Sequence, residues 1–173
     1  MMKKRLNRGK AKLIASIFSG EPKLIFETSK LLEKMFGKID FQSPLMDFTH
    51  TEYYNDEMGS RLKRVFFSFD RPVSPESAYK AKIRTNALEK KFVLDGKRRV
   101  NIDPGYLDMS KLVLFSTKDY THRIPMPRGI FAEVTLFYQD KCYNSWPWTY
   151  PDYKTKEYAL IFESIRNIYR PGA

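Results

Sequence analysis

Apolar residues recur along this chain at two spacings, and each spacing predicts one kind of element. Residues 13–19 form a short, almost continuous apolar run that ends at a glycine, which predicts a first strand. Pro22 follows, and the apolar residues after it repeat at helical spacing until Gly37. Because proline is favoured in the first turn of a helix and glycine just beyond its end, the pattern predicts a helix over 22–36.

The same patterning predicts the next elements. A second strand is predicted over 39–48, with irregularities, and a third over 62–69, where aromatic and branched residues are frequent. A second helix is predicted over 75–92, with Ser74 as its cap. With a fourth strand over 100–103, the order strand, helix, strand, strand, helix and strand predicts a split βαβ, ferredoxin-like core.

Two segments after this core need separate interpretation. The sequence Asp103-Pro104-Gly105-Tyr106 carries proline and glycine in the order of a type II turn, which predicts that the fourth strand ends at Asp103. Residues 108–117 suit either a short helix capped by Asp108 or, through the run LVLF, a buried strand. The helical interpretation is slightly favoured.

The C-terminal part of the chain predicts further structure on this core. Residues 122–126 and 130–138 have the pattern of a β-hairpin. A proline-punctuated aromatic loop follows over 146–153, and the apolar stripe over 158–169 predicts a final helix. No repeat or long linker interrupts the chain, so we predict a single α+β domain over 13–173, with a ferredoxin-like core, a C-terminal β-hairpin extension and a terminal helix.

Composition and charge add constraints on the class of protein. A hydrophobic fraction of 42% is more than a disordered chain carries, which predicts a folded domain. Cys142 is the single cysteine and no apolar stretch reaches about eighteen residues, so we expect a cytoplasmic protein without membrane association. The net charge is +11, and residues 1–12 hold six cations and no acid. This predicts a basic, flexible tail that could attract RNA, although a simple solvated terminus is the favoured interpretation.

Charged residues near position 100 predict a polar site. Alternation along an entering strand would place Arg99, Asn101 and Asp103 on one face. Arginine presents a planar fork to phosphate or carboxylate, so Arg98 and Arg99 are candidates to bind an anion and Asp103 to position the fork. A surface strand of mixed charge, or an Arg–Asp pair that fixes a turn, would contain the same residues.

A compact polar cluster follows between two apolar elements, formed by Lys118, Asp119, His122 and Arg123. Histidine titrates near neutrality, so His122 could act as a general base that Asp119 orients. Glu133 is expected to face this cluster from the hairpin, and Arg128 adds a cation in the hairpin turn. A loop histidine bonded to nearby backbone is the favoured alternative to catalysis.

The aromatic loop has two interpretations as well. If Trp148 and Tyr150 are exposed, their rings could stack on a nucleobase or a sugar. If they are buried, the loop simply covers a sheet face or fixes the final helix, which is the favoured interpretation.

Four segments together resemble one bacterial family: DGKRRVNIDPGYL, STKDYTHRI, GIFAEVTLFY and WPWTYPDY. The family is the one described as domain of unknown function 4416, and the resemblance extends over nearly the whole chain after the basic tail. It implies a small bacterial domain and supplies no catalytic residues. A P-loop is not part of the pattern, because none of the three Gly-Lys pairs of the chain is followed by serine or threonine.

Two classes of function follow from these residues. In the first, the protein binds, and in an enzyme would process, a small phosphorylated ligand or nucleotide in a basic polar pocket. Its candidate catalytic residues are His122, Asp119, Asp103 and Glu133, and its candidate ligand-binding residues are Arg98, Arg99, Asn101, Lys118, Arg123, Arg128, Trp148 and Tyr150. In the second, the protein is a noncatalytic RNA-binding module that uses the basic tail and the aromatic loop. No cofactor, metal ion or oligomeric state is assigned.

Overall fold

The structure of the protein is a computed structural model that describes residues 9–49, 54–59 and 61–169. The strands are β1 (Lys12–Ser19), β2 (Ile39–Gln42), β3 (Met46–Asp47), β4 (Lys63–Phe69), β5 (Asn101–Leu107), β6 (Lys111–Ser116), β7 (Ile124–Met126), β8 (Ile130–Gln139) and β9 (Cys142–Ser145). The helices are α1 (Pro22–Phe36), α2 (Asn55–Met58), α3 (Lys80–Glu89) and α4 (Lys156–Ile168).

The strands of the described residues form one antiparallel sheet in the order β2-β4-β1-β5-β6-β8-β7, with β3 beside β4 and β9 beside β8. Because β1 and β2 both run antiparallel to β4, they are parallel to each other, and α1 connects them across the inserted strand. In the same way, α3 connects β4 to β5 across β1. The predicted α+β class is confirmed.

Helices cover both faces of this sheet. Leu13, Ala15 and Ile17 of β1 pack under α1 and α3, whereas Ile14 lies in a second core with α4. Every residue of β1 is buried, which explains why this strand is nearly continuous in apolar character rather than alternating. The candidate site described below is lined both by residues of α3 and by residues on the α4 side of the sheet.

Two residues that the sequence assigned to the tail belong to the sheet. Ala11 pairs with Val73 and is fully buried, and Lys12 begins β1 with its ammonium group on Asp40. Lys12 is therefore part of the sheet. Residues 1–8, which contain four of the tail's six cations, lie outside the described residues.

The helix predicted over 75–92 is correct only in its central part. Residues 75–79 form turns whose hydrogen bonds span three residues, such as Ser77 N to Ser74 O and Ala78 N to Pro75 O. The regular helix α3 starts at Lys80, and a short 3-10 turn over Lys90–Phe92 follows it. Pro75 therefore opens a turn rather than the helix.

The turn predicted at residues 103–106 is wrong, because β5 runs through it to Leu107. Gly105 is required for close approach of β6, since a Cβ at this position would lie 2.3 Å from the Val113 carbonyl oxygen. Pro104 lies one residue beyond the last β5–β6 pair, Gly105 with Leu114, where the missing amide hydrogen interrupts no pairing to β6. The glycine indicates contact between strands here, not a reversal.

The helical interpretation of residues 108–117 is also wrong, because Lys111–Ser116 forms β6. Asp108 does cap backbone amides, since its carboxylate accepts hydrogen bonds from the amides of Ser110 and Lys111 at 2.7 and 2.9 Å. These bonds close a tight turn between β5 and β6 instead of starting a helix. Aspartate accepts hydrogen bonds from nearby backbone amides in the same way in turns and at helix N-termini.

The C-terminal hairpin and helix are present. β7 pairs with β8 as predicted but starts two residues later, and α4 is capped by the Thr155 hydroxyl, which accepts from the Tyr158 amide. The strand β9 was not predicted. No helix in the described part of the chain combines the length and apolar character that a membrane crossing requires.

Candidate functional site

Two adjoining cavities form a cleft in the described residues, and they share Tyr54, Asp103, Ser116 and Lys118. We call one, of about 390 Å³, the basic lobe; it is further lined by Lys82, Asn86, Glu89, Lys90, Val93, Arg98, Asn101 and Thr117. We call the other, of about 330 Å³, the aromatic lobe; it is further lined by Phe48, Arg64, Leu114, Phe115, Tyr120, Arg123, Glu133, Tyr150, Pro151, Asp152 and Tyr153.

The basic lobe has more cations than carboxylates along its walls. Its four cations are Lys82, Lys90, Arg98 and Lys118, and its two carboxylates are Glu89 and Asp103. Two of these groups lie one above the other on α3, because Lys82 and Glu89 are seven residues apart. The Lys82 ammonium donates to the Ile102 carbonyl at 2.8 Å, and the Glu89 carboxylate accepts from the Ile102 amide at 2.7 Å. Burial raises the pKa of Glu89, although nearby Lys82 opposes that change.

Arg98 is the arginine that faces the basic lobe. Its Nε and Nη2 donate to the two carboxylate oxygens of Glu57, each at 2.7 Å, and its Nη1 donates to Asn101 Oδ1 at 3.1 Å. The hydrogen bonds from Arg98 lower the pKa of Glu57. Since Glu57 belongs to α2, this pair ties α2 to the start of β5.

Arg99 does not join the cleft. Its guanidinium binds Glu21, the residue before α1, through two hydrogen bonds of 2.7 Å. Strand alternation starts only at Asn101, so the prediction that Arg99 shares a face with Asn101 and Asp103 is wrong for Arg99. Asn101 and Asp103 themselves do lie in the basic lobe.

Glu133, rather than Asp119, is the carboxylate that contacts His122. Glu133 Oε2 lies 2.9 Å from His122 Nε2 and accepts from Arg123 Nε at 2.8 Å. Asp119 is exposed in the preceding turn. The buried Arg123 also donates to the Lys118 carbonyl at 2.8 Å, so it holds the turn together. His122 does not appear among the described residues that line either lobe.

His122 instead takes part in a stack of rings that continues into the aromatic loop. Its ring stacks on Tyr120 at 6.0 Å and on Trp148 at 5.4 Å, and Trp148 stacks on Trp146 at 5.1 Å. The imidazole is therefore packed between elements of the turn and of the aromatic loop. Tyr150 is the one of the two predicted ligand-binding aromatic residues that lines a lobe, and its hydroxyl accepts from Arg123 at 3.3 Å.

Arg128 is placed away from the cleft. It lies exposed in the 3-10 turn between β7 and β8 with a positive φ of 63°. Of the predicted site residues, the cleft thus brings together Asp103, Glu133, Arg98, Asn101, Lys118, Arg123 and Tyr150.

Sequence reasoning missed a buried arginine that lines the aromatic lobe. Arg64 is 3% exposed, and it binds the buried Asp152 at 2.5 Å and lies 3.8 Å from the Phe48 ring centroid. A signal was available, because an arginine at an alternating position of a buried, aromatic strand must find a partner. Lys82 and Glu89 were missed too, although their spacing on a helix places them on one face.

Tyr54 lies where the two lobes meet. Burial raises the pKa of its phenol, so the hydroxyl stays protonated at neutral pH and can donate a hydrogen bond. Among the residues described, no three metal-ligating side chains come together.

Comparison with known proteins identifies the family. A family model described as Domain of unknown function (DUF4416) matches residues 9–169, which is nearly the whole chain. No curated protein and no solved structure matches this chain. The resemblance noted from the four sequence segments is thereby confirmed, and the chain belongs to the DUF4416 family.

Proposed function

We propose that the protein binds a small phosphorylated ligand, such as a sugar phosphate or a nucleotide, with its phosphate in the basic lobe. The observation that supports this is the excess of cations in a concave site, four against two carboxylates. Clefts that gather cations concentrate an anionic ligand and bind it with charge-assisted hydrogen bonds.

Arg98 is the expected anchor of the phosphate. Its side chain is 32% exposed, and the guanidinium geometry matches phosphate oxygens in a way that a lysine ammonium does not. Lys90 is exposed at the rim of the same lobe and Lys118 lies at its junction with the aromatic lobe. Asp103 reaches both lobes, so it is our candidate for accepting a proton if the bound ligand is processed.

The first test compares two adjacent arginines that differ in their position. Arg98 and Arg99 are similarly exposed, each binds one glutamate through two hydrogen bonds of 2.7 Å, and only Arg98 lines the cleft. We expect sugar phosphates or nucleotides to raise the melting temperature of the wild type and of Arg99→Ala, and to lose this effect in Arg98→Ala. Stabilisation in none of the proteins, or equal stabilisation in both variants, would contradict the proposal.

RNA binding is the second candidate function. The net charge of +11 and the 40% exposure of Trp148 favour it, and residues 1–8 hold four of the six cations of the predicted tail. We expect deletion of residues 1–8 to flatten the salt dependence of RNA binding if the tail acts as an arm. Because Ala11 and Lys12 belong to the sheet, a longer deletion would also unfold the protein, and a loss of RNA binding could not then be assigned to the tail.

We also infer that β1, β2, β4 and β5, with α1 and α3, form a ferredoxin-like core. The support for this is the strand order β2-β4-β1-β5 together with the two helical crossovers described above. In this interpretation β6 to β9 extend one edge of the core, and the cleft lies where the extension begins. We place the protein in the cytoplasm on the basis of its single cysteine alone.

A further inference from the structure

The aromatic lobe offers a different chemistry from the basic lobe. Tyr54, Tyr120 and Tyr150 line it, and the last two are 45% and 44% exposed. Leu114 and Phe115 of β6 add apolar surface. Ring faces and apolar surface of this kind are typical of a site that holds the flat, apolar part of a ligand.

Four of the six charged side chains that line the aromatic lobe are paired with each other, and the other two also line the basic lobe. Arg64 is paired with Asp152 at 2.5 Å, and Arg123 with Glu133 at 2.8 Å. All four of these side chains are at least nine-tenths buried. A second phosphate would have to compete with these buried carboxylates, so this lobe suits an uncharged group better than an anion.

We propose that the aromatic lobe binds a planar ring carried by the same ligand, which makes the ligand a phosphate ester with an aromatic or heteroaromatic ring. This inference rests on the proposed phosphate site in the basic lobe. The two lobes share Asp103 and Tyr54, so one molecule can occupy both. Asp103 at the junction is placed to accept hydrogen bonds from hydroxyl groups that link the ring to the phosphate.

The aromatic loop supplies a matched pair of variants. Tyr150 and Trp148 lie two residues apart and are similarly exposed, at 44% and 40%, but only Tyr150 lines the aromatic lobe. Trp148 stacks on His122 and Trp146 instead. Each variant removes one ring from the same loop, so a difference between the variants in ring preference reports the lobe, and Tyr150→Phe controls for the hydrogen bond from Arg123.

The experiment titrates the full-length protein by calorimetry with ribose 5-phosphate, adenosine and uridine 5′-monophosphates, phenyl phosphate, and adenosine without phosphate. We expect the ring-bearing phosphates to bind about tenfold more tightly than ribose 5-phosphate, since a stacked ring contributes on this order. Tyr150→Ala should remove this preference, whereas Trp148→Ala and Tyr150→Phe should keep it. Circular dichroism of each variant checks that it is folded.

The possible outcomes distinguish the ring site from the phosphate site. Equal affinity for ribose 5-phosphate and the ring-bearing phosphates, or an unchanged preference in Tyr150→Ala, would overturn the ring site and leave the phosphate site standing. Adenosine that binds as tightly as its monophosphate would support the ring site and overturn the phosphate site. Absence of binding by every compound would overturn both, and loss of the preference in Trp148→Ala would assign ring binding to the loop instead of the lobe.

Discussion

Two guanidinium–carboxylate pairs near the cleft use the same chemistry in opposite surroundings. The pair of Arg64 and Asp152 is sealed, with side chains 4% and 7% exposed, while the side chains of Arg98 and Glu57 are 32% and 33% exposed. Rings surround the first guanidinium, and the centroid of the Phe48 ring is only 3.8 Å away. The second guanidinium lines the basic lobe.

The difference shows that a buried arginine pair stabilises the fold, whereas an exposed arginine can also bind a ligand. Arg64 comes from β4, Asp152 from the turn after the aromatic loop, and Tyr158, which accepts a hydrogen bond from Arg64 at 3.3 Å, from α4. The sealed pair thus joins three elements, and although both residues line the aromatic lobe, their charges are bound to each other. Arg98 keeps contact with solvent, so an anion can reach it.

The largest effect is expected from breaking the sealed pair. Arg64→Ala should lower the free energy of unfolding by about 3–5 kcal/mol, because it leaves the Asp152 carboxylate buried without its cation. Urea unfolding of the variant and the wild type measures this change. A loss below about 1 kcal/mol would contradict our assignment, because it is the value expected of an exposed pair.

A double variant separates the charge from the packing. Arg64→Met combined with Asp152→Leu removes both charges and keeps apolar volume in the site, so it should be more stable than Arg64→Met alone. If the double variant is the less stable of the two, Asp152 contributes chiefly through its hydrogen bond to the Tyr153 amide, which is 3.1 Å long.

An intermediate effect, on the affinity for a ligand, is expected at the exposed pair of Arg98 and Glu57, which we call the open pair. Glu57 occupies two donors of Arg98 that an incoming phosphate could use. Glu57→Gln should therefore raise the affinity for a sugar phosphate or nucleotide by about twofold to fivefold, the range that an exposed ion pair covers. Calorimetric titration measures this change.

The matched control is Glu21→Gln. Glu21 holds Arg99 as Glu57 holds Arg98, but neither Glu21 nor Arg99 is among the described residues lining the cleft, so the affinity should not change. A lower affinity in Glu57→Gln would show that Glu57 positions Arg98 for the ligand and does not compete with it.

The sequence predicted those parts of the fold that depend on local patterning. The helix over 22–36 is correct to the residue, because its stripe, proline and glycine all lie within one segment. The function of Gly105 depends instead on how closely β6 approaches it, which a local pattern does not contain. The same holds for Asp108, whose side chain makes the same bonds in a hairpin turn as at a helix start.

The site could be predicted only in part for a similar reason. Arg98 and Arg99 are adjacent in the sequence, but which of them faces the cleft depends on where the fold places Glu21, just before α1, and Glu57 of α2. Arg64 was missed because its partner Asp152 is 88 residues away along the chain. Long-range pairs of this kind follow from topology and not from spacing.

The smallest effect is expected in the pH dependence of stability, and it sharpens the same comparison. The hydrogen bonds from Arg98 lower the pKa of Glu57 below its ordinary value of 4.5. A carboxyl group with a lowered pKa in the folded state stabilises the protein above its unfolded pKa, and this contribution is lost as the pH falls through the folded pKa. Glu89 acts in the opposite direction, since burial raises its pKa, so the pH dependence of the wild type alone does not isolate the contribution of Glu57.

We therefore expect the difference in unfolding free energy between wild type and Glu57→Gln to be largest near neutral pH and to shrink below about pH 4. Urea midpoints measured from pH 7 to pH 3 check this, and a difference that grows with acid would mean that the open pair does not stabilise the fold through the charge of Glu57.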